Sequence, residues 1–152
     1  MAAEKVFITL CAIFIALVLL TGQSYALEAL ELQKLKATNK CPGCDLSGGD
    51  LSNLNLAGAD LTFALLTNAN LSNTNLSNAN LSRTDLTDAN LSRANLTQAN
   101  LNRANLSDTD LTDAILTDAI LADAILDDTL LGGAIWIDSK KCKKNSKGKC
   151  KK

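Results

Sequence analysis

Leucine occupies every fifth place from Leu46 to Leu131, eighteen times in succession and without an insertion. Neither common element can use that spacing. On an α-helix, five steps of roughly 100° turn each leucine to a new direction. On a flat strand, an odd spacing throws successive leucines onto opposite faces. In either case about half of them would face water. The spacing must therefore serve a different geometry.

The repeat reads as blocks: CDLSG, GDLSN, LNLAG, ADLTF, ALLTN, ANLSN, and on to AILAD, AILDD and TLLGG. A further block, AIWID, places Trp136 where leucine stood. The pattern A(D/N)LXX resembles the pentapeptide-repeat family. That resemblance implies an all-β solenoid, a right-handed quadrilateral β-helix with one block per side and four blocks per coil. About 4.5 coils are expected, with a short N-terminal capping α-helix. Residues twenty apart would then stack at strand spacing, and coils that cannot bury their leucines alone would share one core. Small residues two before each leucine should also point inward. Threonine replaces alanine there at Thr74, Thr84, Thr109 and Thr129, and each hydroxyl needs an acceptor.

Composition changes sharply at both ends. Residues 1–26 carry Lys5, an unbroken apolar run from Val6 to Leu20, and small residues at Ser24 and Ala26. This is the pattern of a cleaved export signal, since the run falls short of the roughly 20 residues that span a bilayer. An uncleaved anchor is the alternative. Residues 27–40 predict a capping helix and linker, with Leu27, Leu30 and Leu35 near one face and Leu32 less well placed. Residues 41–138 form the β-helix, and residues 139–152 a lysine-rich tail containing cysteine. The helix should close the first coil. Trp136 should stack on Leu56, Leu76, Leu96 and Leu116 and shield the last.

Four cysteines remain after export. Cys41 and Cys44 form a C-x-x-C, but no βαβ pattern surrounds them, and a structural disulfide suits an exported protein. Cys142 and Cys150 are assigned to a second bridge, because the two clusters flank opposite ends of a tube about 22 Å long at strand spacing. A redox role for Cys41 and Cys44 stays open as an alternative. So does DNA mimicry toward gyrase, which the resemblance brings in and which the export signal opposes.

The body from residue 27 to 139 holds fifteen acids against six bases, whereas the tail holds eight lysines and no acid. The tail is read as solvated or as the arm for an anionic partner, and a cover by the tail is one alternative for the aliphatic residues described below. Nucleic acid is disfavoured, because no aromatic residue interleaves the lysines. The stacked acids Asp88, Asp108 and Asp128 are read as solvated, and no metal or cofactor is expected. Histidine is absent, and no phosphate loop or nucleophile elbow appears, so no enzymatic role is expected.

One anomaly points to function. The residue before the central leucine is Asp or Asn in most early blocks, but becomes Ile115, Ile120, Ile125, Leu130 and Ile135 at the end. On a square tube these would form an exposed aliphatic girdle, the candidate interaction surface for an unknown protein partner or for self-association. The chain reads as a non-enzymatic exported scaffold or protein-interaction module, destined by resemblance for a periplasm or thylakoid lumen.

Overall fold

The computed structural model describes residues 29–152. The predicted export signal lies outside the described residues. The first element, helix α1, covers residues 29–38. It ends at Asn39, whose positive φ of 56° is the left-handed stop that asparagine tolerates. Leu35 is fully buried and Leu32 packs beside it, whereas Leu30 is 61% exposed. The expected pairing of Leu30 with Leu35 on one face is thus corrected, and Leu27 lies outside the described residues. The three-residue spacing of Leu32 and Leu35 puts that pair on the tube.

Behind α1 the chain winds into a right-handed square β-helix. Parallel bridges join residues exactly one coil apart, from Lys40 with Asp60 to Ile115 with Ile135. They define four sides. The first carries Lys40, Asp60, Asn80, Asn100 and Ile120, and the second Asp45, Leu65, Asp85, Asn105 and Ile125. The third carries Asp50, Asn70, Asn90, Asp110 and Leu130, and the fourth Asn55, Asn75, Asn95, Ile115 and Ile135. Each side therefore has five rungs. The first begins at Lys40, because Cys41 takes a leucine position before the leucine pattern is readable.

The corner explains the period of five. The amide of the small residue donates to the carbonyl of the leucine three places earlier, as Ala59 does to Leu56 at 3.0 Å. The residue between them, two after each leucine, has positive φ from Gly43 to Gly133. A closed four-residue turn with positive φ at its third place is the type II pattern. Glycine, asparagine and aspartate fill most of these corners, as the left-handed region requires. Phe63, Arg83, Arg93, Gln98 and Arg103 do not conform.

The interior is a column of leucine with small residues between. Leu46 to Leu116 and their partner alanines are almost wholly buried. The four inward threonines each find a carbonyl: Thr74 on Leu51, Thr84 on Leu81, Thr109 on Leu86 and Thr129 on Leu106, at 2.7–2.8 Å. Outside, the Asx residue before each leucine closes the turn by accepting the amide two residues on, as Asn70 does from Ser72 at 3.2 Å. Some also bond to the rung below, such as Asn75 to Asn55 at 2.9 Å.

One block shows how differently its positions bear on stability. Leu91→Ala should cost about 2–5 kcal/mol, since the filled column cannot collapse around the gap. Arg93→Asn, at an exposed left-handed corner, should add about 0.5–1 kcal/mol. Denaturant midpoints of the two variants should move in opposite directions.

Candidate interaction surface

The aliphatic girdle is present and outward. Ile115, Ile120, Ile125 and Leu130 are all exposed, Ile120 by 51% and Ile125 by 48%, while Ile135 is half-buried. These residues occupy the place where Asn or Asp closes the turn elsewhere. An aliphatic side chain cannot accept the amide two residues on, so the last blocks forgo that hydrogen bond. Leu65, at the same place in the second coil, is also exposed, and sequence reasoning passed over it. It was legible as the one aliphatic residue at this place in an early block.

The tail lies against the tube. After Trp136 the chain reverses and pairs antiparallel with the last coil, Lys141 beside Ile135 and Lys147 beside Leu130. The Cys142 amide donates to Ala134 at 2.8 Å, and the Gly148 amide to Thr129 at 2.9 Å. Cys142 and Cys150 form a disulfide that ties the two ends of this cover together. The tail is thus a partial cover of the coil end, and the girdle side chains Ile115, Ile120, Ile125 and Leu130 stay exposed. It caps the third and fourth sides only.

The other two sides end bare. Among the described residues, the amides of Leu121, Asp123, Leu126 and Asp128 find no backbone partner beyond them, nor do the carbonyls of Ala119 and Ala124. Leu121, Ala124 and Leu126 are accordingly only half-buried, although their counterparts below are sealed. Trp136 packs against the core in register above Leu116, but its shielding stops at its own side.

The opposite end is closed more fully. Leu32 and Leu35 of α1 lie over the first coil, and a Glu31 carboxylate oxygen accepts the Asp45 amide at 2.6 Å. Cys41 and Cys44 are joined by a disulfide beneath this helix, and both are buried. A redox partner could not reach that bridge without displacing α1.

Charge runs along the corners. Asp88, Asp108 and Asp128 stack at one corner, with Lys147 2.9 Å from Asp128. At another, Arg83 stands 5.1 Å from the Phe63 ring centroid, and Arg103 lies 3.4 Å from Asp123. No cluster of metal-ligating side chains occurs among the described residues, and no helix among them is long and apolar enough to cross a membrane. Asp60 is held below its ordinary value of 3.8 by the Thr62 hydroxyl, and further by the Thr62 amide. Asp138 is lowered chiefly by Lys152, which fastens the tail end to the last turn.

Comparison with known proteins agrees with this geometry. The pentapeptide-repeat profile matches eight copies in segments spanning residues 41–128. The chain belongs to the pentapeptide-repeat family. HetL from the cyanobacterium Nostoc, a protein involved in heterocyst differentiation regulation, is 33% identical with a TM-score of 0.57. The match covers 67% of this chain and 55% of HetL, so the chain spans little more than half of that relative's length. AT2G44920 from the thylakoid lumen of Arabidopsis thaliana is 32% identical over 65% of this chain and 68% of its own, with a TM-score of 0.61. No protein of curated function matches.

Two measurements probe the ends and corners. Trp136→Ala should lower the melting temperature and increase aggregation on heating, because it uncovers the leucine column on the fourth side as well. The depressed pKa of Asp60 gives stability that is present above its unfolded value and is lost as pH falls through the lower folded value. Asp60→Asn keeps the acceptor and should flatten the acid side of the melting curve below about pH 4.

Proposed function

We propose that the protein is an exported, non-enzymatic scaffold whose working surface is the C-terminal coil. The observation that carries this reading is the exchange at the residue before the leucine. Asn and Asp there serve the fold by closing turns and joining rungs. Ile115, Ile120 and Ile125 do neither, and they expose apolar area in a band around three sides of the tube. Such a band on a soluble surface marks a contact. Two bridged cysteine pairs suit an oxidising compartment, and the lumenal source of one relative supports a periplasm or thylakoid lumen as destination. The rest of the tube offers filled corners and short turns, and supports binding over catalysis.

The triple exchange Ile115→Asn, Ile120→Asn and Ile125→Asn separates contact from fold. Each asparagine restores a turn hydrogen bond worth about 0.5–1.5 kcal/mol net. The dilute monomer should therefore melt higher. A photoreactive residue at position 120 should crosslink to a protein in the native compartment, and one at position 80, two coils below on the same side, should not. A lower melting temperature for the triple variant, or equal crosslinking at both positions, would overturn the assignment.

A further inference from the structure

We propose that the seam between the tail and the third side is a binding site for a free aliphatic α-amino acid. Lys141, Lys144 and the Gly132 amide hold its carboxylate, and Asp113 holds its ammonium group. The site is separate from the protein contact proposed above and does not depend on it.

The seam leaves a cavity of about 350 Å3, whose lining includes Asp113, Leu130, Gly132, Lys141 and Lys144. That is room for a small molecule. Two glycines shape it. A Cβ on Gly132 would stand 2.6 Å from the Lys144 carbonyl oxygen, so glycine is what lets the tail cross this close. A Cβ on Gly133 would fall on the Asp113 carboxylate and lie 3.5 Å from Lys141 Cε. Glycine there lets an acid of the coil and a base of the tail converge on one point.

The cavity also holds a free backbone donor. On the third side the residue after the leucine normally gives its amide to the Asx residue two places before it, as Thr112 gives to Asp110 at 2.8 Å. Gly132 cannot do so, because Leu130 stands in the acceptor's place. Its amide has no partner among the described residues. It faces the position of the Leu130 side chain, which lines the cavity. An acceptor placed there regains the hydrogen bond that the exchange at residue 130 gave up.

The charges select the ligand. Lys140, Lys147 and Lys152 are taken up by Asp138 and Asp128, whereas Lys141, Lys144 and Asp113 form no ion pair among the described residues. A simple anion would satisfy the lysines and the Gly132 amide but meet Asp113 as a like charge. A simple cation would satisfy Asp113 and be repelled by the lysines. A molecule with both charges on one short frame satisfies every group, and each mismatch rejects the alternatives. Leu130, 44% exposed, supplies the apolar wall and suits an aliphatic side chain. The bound molecule would join the coil to the tail, so it should stabilise the cover. Both charges stay open to water on one side, and the affinity is accordingly weak, in the millimolar range.

The test is an amide-resolved NMR titration of the purified protein, both disulfides intact, with L-leucine. Saturable shifts of the Gly132 and Gly133 amide signals are expected, together with a higher melting temperature. Isocaproate lacks the ammonium group and leucinamide lacks the carboxylate. Each should bind at least about tenfold more weakly than L-leucine. Asp113→Asn suits the left-handed corner, since Asn53 and Asn73 occupy the same corner below it. That variant should lose L-leucine binding and keep isocaproate binding. Lys141→Gln with Lys144→Gln should lose both ligands, and circular dichroism of each variant checks the fold. The absence of a saturable shift at either glycine with L-leucine, or equal binding of L-leucine and isocaproate by the native protein, overturns the proposal. Neither result bears on crosslinking at position 120, so the two readings fail separately.

Discussion

The structure depends on one register, in which each backbone amide or carbonyl on a side meets its partner in the adjacent coil. That register survives only if each corner uses the same number of residues, because one extra would shift every later rung. The corner in turn requires a residue at positive φ two places after the leucine, which explains the abundance of Asn, Asp and Gly there. The leucine spacing, the polar corners and the small inward residues are thus three consequences of one closed turn. Composition that reads as low complexity is the signature of geometric uniformity.

A stack of identical coils has a stable middle and two difficult ends. Interior leucines are covered by the coil above and the coil below, while terminal ones have a neighbour on one side only. The amino end meets this with an amphipathic helix and a buried disulfide. The carboxy end meets it by reversing the chain and pairing its own tail with half of the last rung, held by a second disulfide. The two solutions differ in completeness. A helix lies over the mouth of the first coil, whereas the antiparallel tail follows the perimeter and covers the sides it reaches. The Cys142–Cys150 bridge fastens it over the third and fourth.

Much of this was legible because it is periodic. The leucine column, the bonded threonines, the twenty-residue ladders and the aliphatic girdle all follow once Leu81, Leu86, Leu91 and Leu96 are required to share an interior. The parts that were not legible are those without a repeat. In α1 the choice between Leu30 and Leu32 depends on how the helix sits across the first coil, which no local pattern encodes. The reversal after Trp136 depends on bare strand edges created by the coil itself, so a lysine-rich stretch that reads as solvent-facing becomes a β-cover. Lys40 and Cys41 complete a rung in residues that contain no leucine. Local composition underestimates what a finished edge can recruit.

The girdle gains its meaning from the same logic. In a fold this uniform, each position has one locally best residue, and departures can be weighed against many copies of the rule. Arg83, Arg103 and Phe63 depart at the corner, but they stack on one another or on Asp123 and so find partners within the chain. Ile120 and Ile125 depart without such a partner. They give up the turn-closing hydrogen bond, face solvent, and sit on the two sides whose next rung is missing. Leu130 and Ile135 carry the same exchange on the sides that the tail does cover, where Lys147 and Lys141 lie beside them. Leu130 stays 44% exposed beside Lys147, so the tail supplies the next rung there without burying the exchanged side chain.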